Sequence, residues 1–239
     1  AIRPDGAATD HGREMAALGL HPRLSHMILK AVPLGLGSLA CETAVLLSER
    51  DLISRPFAGG HSRAEADFRL RVEALHGQGP SAADEGARRR LLEEAGKLKK
   101  LAGCAHARDR APLEALDSCG LLVALAYPDR IGRRRERGKY LLSSGRGAAL
   151  APDQALAAAE WIAAADVEDA GAESRIRLAA PLSVQEWLAH FPDAVSEEAA
   201  VIWDSGAKAV RARVRRRLGA ILLDESPMPN PPADKIAAA

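Results

Sequence analysis

At 239 residues, with 47% hydrophobic and 27% charged side chains, the chain has a globular composition and is long enough for two or three small domains. A formal net charge of +1 excludes a uniformly basic or acidic protein, and 3% aromatic residues leave alanine, leucine and valine to build the core. Three widely spaced cysteines (Cys41, Cys104, Cys119) with no C-x-x-C pair argue against a zinc site or a disulfide framework and for reduced thiols in the cytoplasm.

Taken in order, Pro4-Asp5-Gly6 reads as a turn, and Thr9 or Asp10 as the N-cap of a short helix through Met15 and Leu18. His21-Pro22 opens a second helix, since proline is tolerated at the first helical position. Leu24, Met27, Ile28 and Ala31 then fall at the spacing of a buried stripe. Ser38 is expected to cap a third helix, with Leu39, Thr43, Ala44 and Leu47 inward, running to about Arg50. Residues 55–62 are loop-like, and a helix is predicted from about Arg63 to His76 with Phe68, Val72 and Leu75 on one side. Ser81 with Asp84 resembles a capping box for an amphipathic helix turning Leu91, Leu92, Ala95, Leu98 and Leu101 to the core. Its other face carries Arg88, Arg89, Arg90, Lys97, Lys99 and Lys100, which pattern alone treats as an ordinary solvated face. Residues 23–103 are thus expected to form a helical bundle without strands, and Asp117 to cap an almost wholly apolar, buried helix ending at Tyr127.

Pro128 stops that helix, and the texture changes to short strands. Arg130–Gly132 and Tyr140–Leu142 read as strands around a charged hairpin from Arg133 to Gly138. Ala155–Asp166 fits helix by its alanines and strand by Trp161-Ile162. After an acidic turn over 166–173, Arg175–Leu178 alternates as a strand with Ile176 and Leu178 inward. Ser183 to Glu186 is a capping box for a helix stopped by Pro192, and Ala200–Trp203 is another strand. In Lys208–Arg217, Val210, Ala212 and Val214 alternate with Arg211, Arg213 and Arg215, which favours a strand with those arginines on one face. A helix remains open there, because Val210, Val214 and Leu218 are four apart. Ile221–Leu223 is a further strand, and the proline-rich tail from Pro227 wraps the surface or frays.

Charge is the informative pattern. Residues 130–147 hold seven bases against one acid, residues 208–217 six bases and no acid, and residues 148–207 two bases against eleven acids. Local potential governs nucleic-acid binding more than total charge does, so a polyanion is the expected partner of the basic stretch. The loop Ser143-Ser144-Gly145-Arg146-Gly147 is small enough to bring its backbone N–H groups to a phosphate.

Other chemistry is missing from the sequence. There is no G-x-x-x-x-G-K-[ST] phosphate loop, no G-x-S-x-G elbow and no H-E-x-x-H helix. His21 and His26, and His106 beside Cys104, do not form a metal set. Glu93-Glu94 and Glu197-Glu198 read as solvated pairs. Neither a catalytic residue nor a metal ligand is expected.

Several of these segments together resemble the HrpB-type bacterial ATP-dependent helicases of the DEAH/RHA group. They are GREMAALGLHPRLSHMIL (12–29), TAVLLSERD (43–51), AYPDRIGRRR (126–135), YLLSSGRGAAL (140–150), EWIAAADVED (160–169), RIRLAAPL (175–182) and the run from Val201 to Leu223. The YPDRI and SSGRGA pieces are the most specific. The resemblance implies an α+β fold: the end of a winged-helix region (1–22), a ratchet-like helical bundle (23–126), a small OB-like β-barrel (127–194), and a C-terminal β extension and tail (195–239). Such helicases carry RecA-like motor domains upstream, which bind ATP and Mg; those motifs do not occur in this sequence. The opening AIRPDG, without a methionine, is expected to belong to a longer polypeptide.

The resemblance also implies that bundle and barrel roof a channel for single-stranded RNA or DNA. With only Tyr127 and Tyr140 as aromatics near the basic stretch, phosphate contact is expected to dominate over base stacking. The expected contacts are Arg130, Arg133, Arg134, Lys139 and Arg146 in the barrel, Arg23 at the junction, and Lys97 and Lys100 in the bundle. The rival reading is a protein–protein interaction module that binds no nucleic acid of its own.

Overall fold

The computed structural model of the chain describes residues 1–49, 52–53, 65–79, 84–104, 109–171, 173–204, 206 and 209–229. The expected loop over 55–62, Arg63, Ser81, His106, Lys208 and the tail beyond 229 lie outside the described residues.

The first part is helical. Thr9 caps α1 (Asp10–Ala17), its hydroxyl accepting from the Gly12 N–H at 3.0 Å. His21 and Pro22 open α2 (Pro22–Ala31), whose Leu24, Met27, Ile28 and Ala31 are buried as their spacing predicts. Helix α3 (Gly37–Ser48) is buried nearly all round. Ser38 does not cap it. The Asp109 carboxylate does, accepting from the Gly37 N–H at 2.9 Å and the Ser38 N–H at 2.6 Å, so a distant residue satisfies the free donors of the first turn.

Helix α4 (Arg69–Leu75) buries Val72 and Leu75 beside Phe68. Helix α5 (Glu85–Leu101) is capped by Asp84, which accepts from the Ala87 N–H at 2.6 Å. Leu91, Ala95 and Leu98 turn inward, but Leu101 is 66% exposed because the helix outruns its partners there. Lys99 also leaves the expected solvated face. It meets the buried Glu42 of α3 at 2.7 Å, and His76 approaches the other Glu42 oxygen at 2.8 Å, so the buried charge is paired. The apolar helix α6 (Cys119–Ala126) is buried at every position. Asp117 does not cap it, lying instead in the 3-10 turn Pro112–Ser118 with its side chain in solvent near Arg69.

The barrel follows. Strands β1 (Ile131–Glu136), β2 (Lys139–Leu142), β3 (Gly147–Ala149), β4 (Trp161–Glu168) and β5 (Ser174–Pro181) close in the order β1-β2-β3-β5-β4. All neighbouring pairs are antiparallel except β3 with β5. The charged hairpin is tighter than predicted. β1 continues through Arg133, Arg134 and Arg135, and the turn is only Arg137-Gly138, with Gly138 at φ +76°. The ambiguous alanine stretch resolves into a 3-10 turn at Ala155–Ala158 and then β4.

Helix α7 (Val184–His190) starts at Ser183, whose Oγ accepts from the Glu186 N–H at 3.3 Å. A second sheet of β6 (Ser196–Asp204), β7 (Ala209–Leu218) and β8 (Ile221–Pro227) ends the described chain, antiparallel in the order β6-β7-β8. The arginine-rich block is therefore a strand. Nothing in its local pattern forbade a helix; pairing with two partners decides it.

Two cores hold these parts. One fills the barrel with Tyr140, Leu142, Ala148, Ile162, Ala164, Ile176 and Ala179. The other runs from the bundle through α6 to the outer face of the barrel and the foot of the second sheet, where Ile131, Trp161, Ala163, Leu218 and Ile221 join it. Contact between α6 and β5 is close: a Cβ on Gly120 would lie 1.9 Å from the Pro181 carbonyl oxygen. No described helix is long and apolar enough to cross a membrane.

Candidate nucleic-acid interface

The residues between α6 and β1 form a joint. Arg23 of α2 donates to Asp129 at 2.5 Å and to the Ala126 carbonyl at 3.3 Å, tying the bundle to the barrel's first turn. Partial burial works against ionisation of Asp129, but the hydrogen bond and charge of Arg23 outweigh it and hold the carboxyl below its usual range. Tyr127 sits between two cations, with the Arg23 guanidinium carbon 5.3 Å and that of Arg130 4.6 Å from its ring centre. These are attractive cation–ring distances. Arg130 also donates to the Ala165 carbonyl at 2.7 Å. Arg133 lies over the Trp161 ring at 5.5 Å and reaches the Leu222 carbonyl of β8 at 2.7 Å. Bonds to neutral carbonyls leave both charges available to an anion.

The other expected contacts go elsewhere. Successive strand residues point to opposite faces, so Arg134 departs from Arg133 and donates to the Ala158 carbonyl beneath the barrel. Lys139 pairs with its neighbour Glu136 at 3.0 Å, which raises its pKa. Arg146 pairs with Asp169 of the acidic stretch at 2.9 Å. Lys97 pairs with Glu94 at 2.6 Å, and Lys100 is exposed on α5. The fold thus brings Arg23 and Arg130 together on Tyr127 and places Arg133 over Trp161, while Arg134, Lys139, Arg146 and Lys97 are engaged with other partners. The ion pairs are exposed and screened by solvent, so a phosphate can exchange with their carboxylates at little cost.

The loop from Ser143 to Gly147 is not the phosphate cradle its composition suggested. The Ser143, Ser144 and Gly145 N–H groups donate to the carbonyls of Ile131, Asp129 and Leu142 at 2.7, 3.1 and 2.8 Å. Ser143 Oγ donates to the Pro128 carbonyl at 2.5 Å, and its own carbonyl accepts from the Ala220 N–H at 2.8 Å. Ser143 therefore knots three segments together: the turn before β1, the β2–β3 loop and the β7–β8 turn. Tyr140 is no stacking platform either; it is fully buried, and its hydroxyl donates to the Leu156 and Ala159 carbonyls at 3.1 and 3.0 Å.

Sequence reasoning passed over Trp161 and the acid Asp129 as parts of this site. The Y-P-D-R spacing contained a signal, because a proline-led turn between two arginine-bearing elements returns the acid toward the preceding helix. The basic strand β7 is bound into a ladder. Glu225 of β8 lies 3.1 Å from both Arg213 and Arg215, and Asp224 lies 3.1 Å from Arg216.

Comparison with known proteins agrees with this architecture. Residues 194–228, the second sheet and its approach, match the family described as ATP-dependent RNA helicase HrpB, connector region. The ATP-dependent RNA helicase HrpB of Escherichia coli (strain K12) is 28% identical over 232 residues, which are 94% of this chain and 25% of that protein. The crystal structure of the E. coli DExH-box NTPase HrpB superposes with a TM-score of 0.72 at 25% identity, covering 99% of this chain and 26% of its own. The chain is similar throughout to the C-terminal region of HrpB-type helicases. It spans about a quarter of these relatives' length. A second HrpB crystal structure, titled as an E. coli DEAH/RHA helicase, shows the same fold, with a TM-score of 0.70 at 24% identity over 98% of this chain and 26% of that one.

Proposed function

We propose that this chain is an accessory module of an ATP-dependent helicase, gripping single-stranded RNA or DNA by its phosphates where the bundle meets the barrel. The observation that carries the reading is the convergence of Arg23 and Arg130 on Tyr127, with Arg133 next along β1. Those cations come from two parts of the fold, so one strand lying across the joint meets both. The barrel is of the five-stranded kind that in OB-folds presents such a surface. Tyr127 is already flanked by guanidiniums, which favours phosphate contact over stacking and hence weak sequence preference.

Within this reading, residues 1–22 end a winged-helix region, 23–126 are the ratchet-like bundle, 127–194 the OB-like barrel and 195–239 the extension. ATP and Mg belong to RecA-like motor domains upstream in the same cytoplasmic polypeptide. The sequence has no phosphate loop to hold them, and no step of hydrolysis is assigned to these residues.

The test is a binding titration on single-stranded oligonucleotides over a range of salt, with wild type and an Arg130→Gln, Arg133→Gln variant. The variant should bind roughly tenfold more weakly, and its log–log salt slope should be shallower by ~1.4, two phosphates at ~0.7 each. Unchanged affinity would refute the assignment. The rival reading, an interaction module, draws on the pairing of Arg146 with Asp169 and of the β7 arginines with Glu225, which neutralises cations from within. It predicts no binding by wild type either.

A further inference from the structure

Consecutive arginines on a strand are dealt to opposite faces, whereas arginines two apart are gathered onto one. The block Arg133-Arg134-Arg135 in β1 is of the first kind; Arg211, Arg213 and Arg215 in β7 are of the second. The register of the second sheet confirms the grouping. Arg215 lies directly opposite Glu198 on β6 and Glu225 on β8, Arg213 opposite Ala200 and Pro227, and Arg211 opposite Ile202. Arg217 reaches Glu198 at 3.6 Å on the same side. On this face Arg213, Arg215 and Arg217 share two glutamates, Glu225 and Glu198. Glu225 serves two guanidiniums at once, so its pairing leaves positive charge in excess.

The excess is graded. At the foot of the sheet Arg215 has an acid directly opposite on either side, while further along Arg213 lies opposite Ala200 and Pro227 and shares Glu225 with Arg215. The opposite face is different in kind, with Ala199, Val201, Ala212 and Val214 half-buried on it. Arg133 of the barrel bonds the Leu222 carbonyl of β8, and Leu222 pairs with Arg217 of β7, so the candidate interface is tied to the sheet's foot.

We infer that this arginine face of the second sheet is a separate track for single-stranded RNA, taking the phosphates of the strand beyond the joint at Tyr127. Guanidiniums two residues apart on a strand repeat at roughly 6.8 Å, comparable with the phosphate step of an extended single strand, so neighbouring arginines can serve neighbouring phosphates. Glu225 and Glu198 hold the side chains in order until phosphates replace them. The inference rests on the barrel joint being a single-strand grip, and the following experiment separates the two.

Binding of the full chain is measured by fluorescence anisotropy to oligouridylates of about 8 and about 24 nucleotides, the shorter matching one barrel's site size. Arg211→Gln with Arg213→Gln should weaken binding of the longer RNA roughly tenfold and lower its salt slope by ~1.4, leaving the shorter RNA unaffected. Glu225→Gln, which frees two guanidiniums, should tighten the longer RNA several-fold and serves if the arginine variant is poorly folded. Unchanged binding of the longer RNA in both variants would overturn the track while leaving the joint intact. Failure of wild type to bind either length would overturn both assignments. Displacement of the longer RNA by polyglutamate at equal charge concentration, with the same dependence on Arg211 and Arg213, would overturn it in favour of an acidic protein partner.

Discussion

Substituting Gly219 by alanine tests whether the Ser143 knot holds the second sheet to the barrel. Gly219 sits in the β7–β8 turn at φ +55°, in the left-handed region where a side chain costs about 1–2 kcal/mol. A Cβ there would also lie 2.2 Å from the Ser143 carbonyl oxygen, which must then move. That oxygen accepts the Ala220 N–H at 2.8 Å, so its displacement forfeits roughly another 0.5–1.5 kcal/mol. The total is about 2.5 kcal/mol. Gly145 supplies the control in the same joint. It too has a positive φ, +91°, but its Cβ would meet only the Ala220 methyl at an ordinary 3.5 Å, so only the backbone term of about 1–2 kcal/mol applies. Urea unfolding of wild type, Gly219→Ala and Gly145→Ala gives the difference, and hydrogen exchange at the Ala220 amide locates it. Equal costs for the two variants, or unchanged protection at Ala220, would refute the clash and with it the knot.

Two further outcomes follow from the buried and paired groups. All three thiols are buried, and desolvation chiefly pushes the Cys119 thiol up to about 12, so native Cys119 should resist iodoacetamide at pH ~8 and react only after unfolding. Rapid labelling of native Cys119 would contradict its burial at the start of α6. Asp129 has a depressed native pKa, so its contribution is present above the unfolded carboxyl value near ~3.9 and is lost as pH falls through the native one. The stability gap between wild type and Asp129→Asn, on the order of 0.5 kcal/mol for a pair this exposed, should therefore close on acidification. A gap independent of pH would mean that Asp129 is not held by Arg23.

How much was legible in the sequence depends on how far apart the deciding atoms lie. The α2 stripe, the Thr9 and Ser183 caps and the alternation of β7 are local patterns within a few residues, and the structure follows them. The cap of α3 comes from Asp109, some seventy positions away, so local pattern points to Ser38 instead. Leu101 kept the helical period but ran past the end of its packing partners. The loop at Ser143 has the small residues of an anion cradle, but its N–H groups were committed to carbonyls at Asp129, Ile131 and Leu142. Composition cannot reveal such commitments, because a small-residue loop that grips a phosphate and one that grips its own backbone use the same residues.

The same limit governs the cations. A count along the chain ranks residues 130–147 above 208–217, seven bases against six, and takes density for a surface. Strand geometry reorders them. In β1 the pleat sends Arg134 to the Ala158 carbonyl while Arg133 stays beside Trp161, so consecutive arginines present their charge piecemeal. In β7 the intervening Ala212 and Val214 take the other face, and the alternating arginines present their charge together. For a partner that is itself a regular row of anions, spacing along one face matters more than the number of arginines in the run. A variant that moved Arg213 by one position, Ala212→Arg with Arg213→Ala, would keep every charge and lose the row. It should bind long single-stranded RNA as poorly as Arg213→Gln alone does, whereas a surface acting through net charge alone would bind it as wild type.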